Sequence, residues 1–287
     1  MNASKLPPVS RALESRIARL RAILRKMGRV VVAYSGGVDS AFLLKIASEE
    51  LGPDVLAVIA SSETYPEKEI REAERLARKL KVRFETIHTS ELDNPDFRSN
   101  PPRRCYHCKK ELWRKMFQVA RREGISTVVD GQNLDDEDDF RPGAQASREM
   151  GIRSPLKEAG WGKVEIRAYS RRLGLPTWNK PSLACLASRI PYGTPIEKPT
   201  LARIGAAETY LRTLGFGQVR VRDHGTVARI EVEPAEIARL AGEKVRAKVE
   251  ARLRKLGYLY VAADLAGYRT GSMNAGLAAF PKKKPGR

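Results

Sequence analysis

Leu13, Ile17, Leu20 and Leu24 recur at helical spacing and predict an amphipathic helix over residues 11–28. The run VVVAY at 30–34 is short, β-branched and apolar at every position, the mark of a strand covered on both faces. It passes directly into Ser35-Gly36-Gly37 and a helical pattern over 38–51, then a turn at Pro53 and Asp54. A second buried strand is predicted at 55–60, a helix at 66–80, and a third strand at 82–88. A proline-rich loop (94–102) precedes a helix that begins at a cysteine pair and runs to about residue 122. A fourth strand, 127–130, ends at glycine. Strands alternating with helices require right-handed crossovers and a parallel sheet, so residues 29–175 read as an α/β domain.

The rhythm then changes. A loop rich in small residues and prolines (176–199) leads to a predicted helix at 200–214. Two alternating strands follow at 218–222 and 228–232, then one long helix from Pro234 to Leu256 and a last strand at 258–262. That order predicts a small α+β domain built on an antiparallel hairpin over 176–276. A basic helical arm (1–28) and a basic tail (277–287) flank the two domains.

Composition narrows the class. The chain has 287 residues, 42% hydrophobic and 30% charged, the balance of a globular protein. It lacks the roughly 18–20-residue apolar run that a bilayer span needs and the apolar stretch of a secretion signal. Three cysteines cannot close a disulfide set, so a cytoplasmic protein is expected. The net charge of +19 makes nucleic acid a candidate partner. Much of it, however, sits in residues 1–29, with eight basic residues against Glu14, and in the tail PKKKPGR. Basic ends are more often solvated arms than a binding face, so nucleic acid is disfavoured.

The chemistry begins at Ser35-Gly36-Gly37-Val38-Asp39-Ser40, between a strand and a helix start. Helix starts offer unpaired N–H groups to anions, and glycines let a phosphate approach the backbone. Ser35 and Ser40 add hydroxyls, and Asp39 is a candidate for holding Mg²⁺ on a pyrophosphate. Neither GxxxxGK[ST] nor GxGxxG is present, which excludes Walker-type and dinucleotide loops. SGGVDS resembles the signature of the PP-loop ATP pyrophosphatases, which cleave ATP between its α- and β-phosphates to adenylate a substrate. In those enzymes the stretch matching Asp130–Asp136 lies beside the nucleotide. The resemblance assigns Gly131 to close backbone approach, and Asn133 and Asp136 to the nucleotide or Mg²⁺.

Cys105 and Cys108 form a CxxC at a helix start among basic residues, a setting that favours thiolate. Alone it is ambiguous among redox, zinc and iron–sulfur roles. Cys185 lies far along the chain in a loop. Arg220 and Arg222 alternate along a predicted strand, so they share one face, and two parallel guanidinium groups suit a phosphate.

With YSGGVDSAFL, RCYHCKKEL, DGQNLDD, DFRPG, RSPL, KPSLACLASRIPYG and VRVRDHG read together, the chain resembles the ATP-dependent sacrificial sulfur transferase (LarE) family of nickel-pincer nucleotide synthesis, from about residue 10 to 276. The resemblance implies that Cys185 is the sulfur-bearing cysteine and Glu208 an acidic catalytic residue near it. Arg220 and Arg222 are then the arginines of a pocket for a mononucleotide substrate's phosphate. Members with all three cysteines resemble enzymes that hold a [4Fe–4S] cluster, which implies Cys105, Cys108 and Cys185 as ligands. Other members give up the sulfur of the single reactive cysteine. ATP, Mg²⁺ and a hexameric homo-oligomer are further implications, with the sulfide donor open. A tRNA-thiolating PP-loop enzyme is the alternative function, and a non-enzymatic nucleotide or nucleic-acid binder a third.

Overall fold

The computed structural model describes residues 11–136, 142–181, 184–269 and 271–272. The first ten residues, the stretch 137–141 containing most of DFRPG, Ser182, Leu183 and the basic tail lie outside the described residues. Along the chain the elements are α1 (Arg11–Met27), β1 (Val30–Ala33), α2 (Val38–Leu51), β2 (Val55–Ser61), α3 (Glu67–Lys79) and β3 (Arg83–His88). Then come α4 (Pro95–Arg98), α5 (Arg104–Arg122), β4 (Thr127–Val129), α6 (Pro142–Glu149), α7 (Pro155–Glu158) and α8 (Lys163–Arg172). The last are α9 (Lys198–Thr213), β5 (Val219–His224), β6 (Val227–Val232), α10 (Ile237–Ala241), α11 (Glu243–Lys255) and β7 (Tyr260–Ala263).

Two compact units emerge: Met1–Glu91 with Cys105–Leu183, and Leu92–Arg104 with Ala184–Arg287. The first is the expected α/β fold. Its four parallel strands run in the order β3-β2-β1-β4. Val30 and Val32 face a core with residues of α1, α2, α3 and α8, while Val31 faces another with Leu112, Trp113 and Met116 of α5. Burial on both faces is why the strands are continuously apolar rather than alternating. Strand order reverses at β1, where β2 lies on one side and β4 on the other. The loops after β1 and β4 therefore meet at the switch point where open α/β sheets bind ligands.

The second unit is a mixed sheet, β5-β6-β7, with β5 antiparallel and β7 parallel to β6. Its core joins Val219, Val221, Ile230 and Val232 to Leu211 of α9, Leu240 of α10 and Leu253 of α11. The single helix predicted from Pro234 to Leu256 is broken. Gly242 takes ψ 138°, ends α10 through its N–H to the Ala238 carbonyl, and caps α11 by accepting from Val245 and Arg246. Tyr258, expected in the last strand, is buried ahead of it with its hydroxyl donating to Asp223 at 2.8 Å.

The proline-rich segment Leu92–Arg104 interrupts the α/β chain but packs with the second unit. Asn100 explains this. Fully buried at φ 57°, it donates from Nδ2 to the carbonyls of Pro191 (2.8 Å) and Thr194 (2.9 Å), and its own carbonyl accepts from Gly193. Asn tolerates this left-handed backbone better than most residues.

Candidate active site

Ser35–Ser40 forms a tight bend between β1 and α2. The Ser35 and Ser40 hydroxyls lie 3.0 Å apart, and the Ser40 hydroxyl also accepts from the Ser35 N–H. Gly36 sits at φ 69°, and a Cβ there would lie 2.8 Å from the Ala73 Cβ of α3, so only glycine fits. Gly37 is conformationally ordinary at φ −78° and caps α2 without a side chain, leaving the space over the helix start open. Asp39 pairs with Lys163 through one carboxylate oxygen, while its Oδ1 is buried with no hydrogen-bond partner. A partnerless, buried carboxylate oxygen costs stability until a cation or donor reaches it.

Gly131 abuts this loop: a Cβ there would meet the Ser40 N at 3.0 Å. Its missing side chain thus lets the β4 loop close on the phosphate loop. Asn133 accepts from the Asp135 N–H at 2.9 Å, and Asp136 accepts from the Asn133 N–H at 3.0 Å. Both shape the turn in this structure. Asp135 reaches further and accepts from the Lys163 N–H at 2.6 Å, capping α8.

A small slot of about 80 Å³ opens where β1 and β2 end, lined by Tyr34, Ser35, Val58, Ile59, Leu112 and Met116. Its apolar walls beside the phosphate loop suit a flat base. Lys180, missed as a site residue although present in KPSLACLASRIPYG, donates to the Gly36 carbonyl at 3.3 Å and pairs with Glu69 and Glu72.

At the start of α5, Cys105 in its first turn is exposed and Cys108 in its second is half-buried; neither is in a disulfide. The Cys108 thiol donates to buried Glu91 at 3.7 Å, and the other Glu91 carboxylate oxygen has no partner. Among the described residues, no three His, Cys, Asp or Glu side chains are grouped as metal ligands.

In the second unit, Cys185 precedes a short 3-10 turn, Leu186–Arg189. Fully buried Arg189 binds the Glu208 carboxylate through Nε (2.7 Å) and Nη2 (3.0 Å) and donates from Nη1 to the carbonyls of Ala184 and Cys185. Arg212 adds a third bond to Glu208, and the Val221 N–H a fourth. Glu208 therefore acts on the cysteine loop through Arg189. Burial pushes its carboxyl up, but Arg189, then Arg212 and Arg220, more than reverse this and hold it below the usual carboxylate range.

A folded value below the unfolded one stabilises above the unfolded pKa and is lost as pH falls through the folded value. Glu208→Gln is therefore expected to flatten the acid limb of a pH series of urea melts. It should also cost about 3–5 kcal/mol at neutral pH by leaving buried Arg189 without its counter-charge.

Arg220 and Arg222 share the sheet face opposite Val219 and Val221, as alternation predicts, and both are buried. Arg220 donates to the Val219 carbonyl and lies over the Tyr268 ring. Burial, and then the Arg189 charge, pull its pKa down to about 10. Arg222 binds Glu231 at 2.6 Å, Ser272 and the Ser188 carbonyl, and its Nε is a buried donor without a partner. A destabilised guanidinium beside an unused donor is an anion-seeking arrangement. Arg189, through the Cys185 carbonyl, and Arg222, through the Ser188 carbonyl, tie the cysteine loop to the second unit.

The SGGVDS loop at the switch point of a parallel sheet marks a PP-loop nucleotide enzyme, and the family model for NAD synthase matches residues 13–99. An uncharacterized protein of Synechocystis sp. is 42% identical over 91% of this chain and 98% of its own. Pyridinium-3,5-bisthiocarboxylic acid mononucleotide synthase of Lactiplantibacillus plantarum is 40% identical over 91% of this chain and 95% of its own. Argininosuccinate synthase of Methanopyrus kandleri is 29% identical over 52% of this chain and 42% of its own. The chain belongs to the family of pyridinium-3,5-bisthiocarboxylic acid mononucleotide synthase and is an ATP-dependent enzyme. No helix among the described residues is long and apolar enough to cross a membrane.

Proposed function

We propose that this chain uses ATP to adenylate a carboxylate of a pyridinium dicarboxylate mononucleotide, releases pyrophosphate, and replaces the activated oxygen with sulfur. The products are a thiocarboxylate and AMP. The observation that carries this reading is that Arg222, one of the two buried arginines of β5, binds the Ser188 carbonyl of the Cys185 loop, while Arg189 holds the Cys185 carbonyl. Cys185, the sulfur source of this reading, and Arg222, a binder of the substrate phosphate in it, thus belong to one unit and one hydrogen-bonded loop. Ser35, Gly36, Gly37 and Ser40 would bind the ATP phosphates. The partnerless, buried oxygen of Asp39 fits a divalent cation. Mg²⁺ held there would neutralise charge on the departing pyrophosphate.

Two sulfur routes remain distinct. Three thiols are the ligand chemistry of a [4Fe–4S] cluster with one iron lacking a protein ligand, and this route gives the CxxC a use, although Cys105, Cys108 and Cys185 are not grouped among the described residues. Such a cluster, when bound, would supply a transferable sulfide. In the second route Cys185 gives up its own sulfur and needs no partner cysteine. Exposed Leu259, Tyr260 and Leu265, around edge strand β7, support a homo-oligomer.

Pyrophosphate release measured with the pyridinium mononucleotide and, separately, with tRNA tests the reading. Release dependent on the mononucleotide is expected, and release dependent on tRNA alone would overturn it. Arg220→Ala and Arg222→Ala should each raise the KM for the mononucleotide about ten- to hundredfold with the KM for ATP unchanged. That is the loss of one charge-assisted hydrogen bond, about 1.5–3 kcal/mol. An altered KM for ATP instead would assign these arginines to the nucleotide.

A further inference from the structure

Lys163 is absent from every motif that points to the site, yet its ammonium holds the one paired oxygen of Asp39 in the phosphate loop. Its backbone is fixed. It is the first residue of α8, its N–H is taken by Asp135, and Glu165 accepts from the Gly162 N–H before it. Its side chain is not fixed in the same way: about a third of it is exposed, and a four-carbon stem leaves the ammonium room to swing. Asp39 thus meets a part-exposed cation on one oxygen and has a buried, partnerless oxygen on the other. Glu165, the remaining carboxylate of this helix start, is engaged by Arg16. It does not compete for Lys163.

We propose that Lys163 is the resident counter-cation of Asp39, displaced when a divalent cation binds, and that its released ammonium then donates to a phosphoryl oxygen of the pyrophosphate group. This rests on the proposed role of the phosphate loop. The exchange keeps a cation beside Asp39 at each stage, and the extra positive charge of the metal is met by the phosphates. Without a metal, Lys163 neutralises the carboxylate; with one, the ammonium moves to where the phosphates bring new negative charge. Asp135 gains a function by the same argument, since capping α8 aims Lys163 at the loop.

The arrangement has an unusual signature: removing the lysine should strengthen metal binding and weaken pyrophosphate binding. Mn²⁺ titration followed by electron paramagnetic resonance, without nucleotide, reads the first. Inorganic pyrophosphate binding in the presence of Mn²⁺ reads the second. Lys163→Met is expected to bind Mn²⁺ about two- to fivefold more tightly, the worth of a part-exposed ion pair. It should bind pyrophosphate about tenfold or more weakly, for loss of a charged donor. Lys163→Arg, which keeps the charge, should show smaller changes of the same sign and serves if Lys163→Met does not fold.

Mn²⁺ affinity unchanged or weakened in Lys163→Met overturns the proposal, as does unchanged pyrophosphate affinity. Asp39→Asn separates this failure from that of the underlying reading. If Asp39→Asn loses Mn²⁺ while Lys163→Met changes nothing, only the role of Lys163 falls. If Asp39→Asn binds Mn²⁺ as the parent does, the phosphate-loop assignment falls and takes the proposal with it.

Discussion

Pyrophosphate release is expected to fall at least about a hundredfold in Asp39→Ala and in Gly37→Val, with the thermal midpoint of each close to that of the parent. Gly37 makes the sharper test. Its backbone, at φ −78° and ψ 173°, is open to any residue, and a Cβ would approach only the Ser35 hydroxyl, at 3.4 Å. Valine can therefore fold there while its methyl groups fill the approach to the helix start. Gly36→Ala is the contrasting control. With φ 69° and Ala73 2.8 Å from any new Cβ, it should lose the fold along with activity. Parental turnover in Gly37→Val would mean that no phosphate approaches this backbone. The measurement is coupled pyrophosphate detection beside a differential scanning fluorimetry trace.

Cys185→Ala should separate activation from sulfur transfer completely. Pyrophosphate is still released in the presence of the mononucleotide, because the phosphate loop is intact, but no thiocarboxylate is formed. Both sulfur routes require this result, so loss of pyrophosphate release as well would place Cys185 in the activation step. Cys105→Ala then distinguishes the routes. If a cluster carries sulfide, anaerobic protein is brown, and Cys105→Ala loses iron together with multiple turnover. If Cys185 is sacrificed, Cys105→Ala retains one turnover, after which the protein is about 34 Da lighter through loss of hydrogen sulfide. Intact-mass spectrometry and iron quantification on one anaerobic preparation read both.

The α/β unit was legible in the chain because its signals are local. A strand buried on both faces must be continuously apolar, and VVVAY running into SGGVDS is such a strand feeding a phosphate loop. The common face of Arg220 and Arg222 was legible for the same reason, since alternation fixes it. The break at Gly242 was not, because a lone glycine within a helical pattern usually costs only about 1 kcal/mol and does not end the helix. Nor was the 142–172 region, where no helix was foreseen and α6, α7 and α8 stand. Arg189, Lys163 and Asn100 were invisible as functional or architectural residues. Each earns its role through a partner distant in sequence: Glu208, Asp39, and the Pro191 and Thr194 carbonyls. Arg189 and Lys180 did lie inside the quoted motif, which marked the stretch without revealing which residues bear the contacts.

The segment Leu92–Arg104 bears on how the protein is born. A ribosome delivers it long before Ala184 and the sheet of its own unit, with the α5–α8 region still to be made. Until then Asn100 has no carbonyls to hold, and the segment must remain open while the chain around it folds. Closing so long a loop delays the second unit, and a chain begun at Ala184 would lack part of its own interior. Dissection of this enzyme into halves should therefore yield a second half that folds only when residues 92–104 are supplied with it.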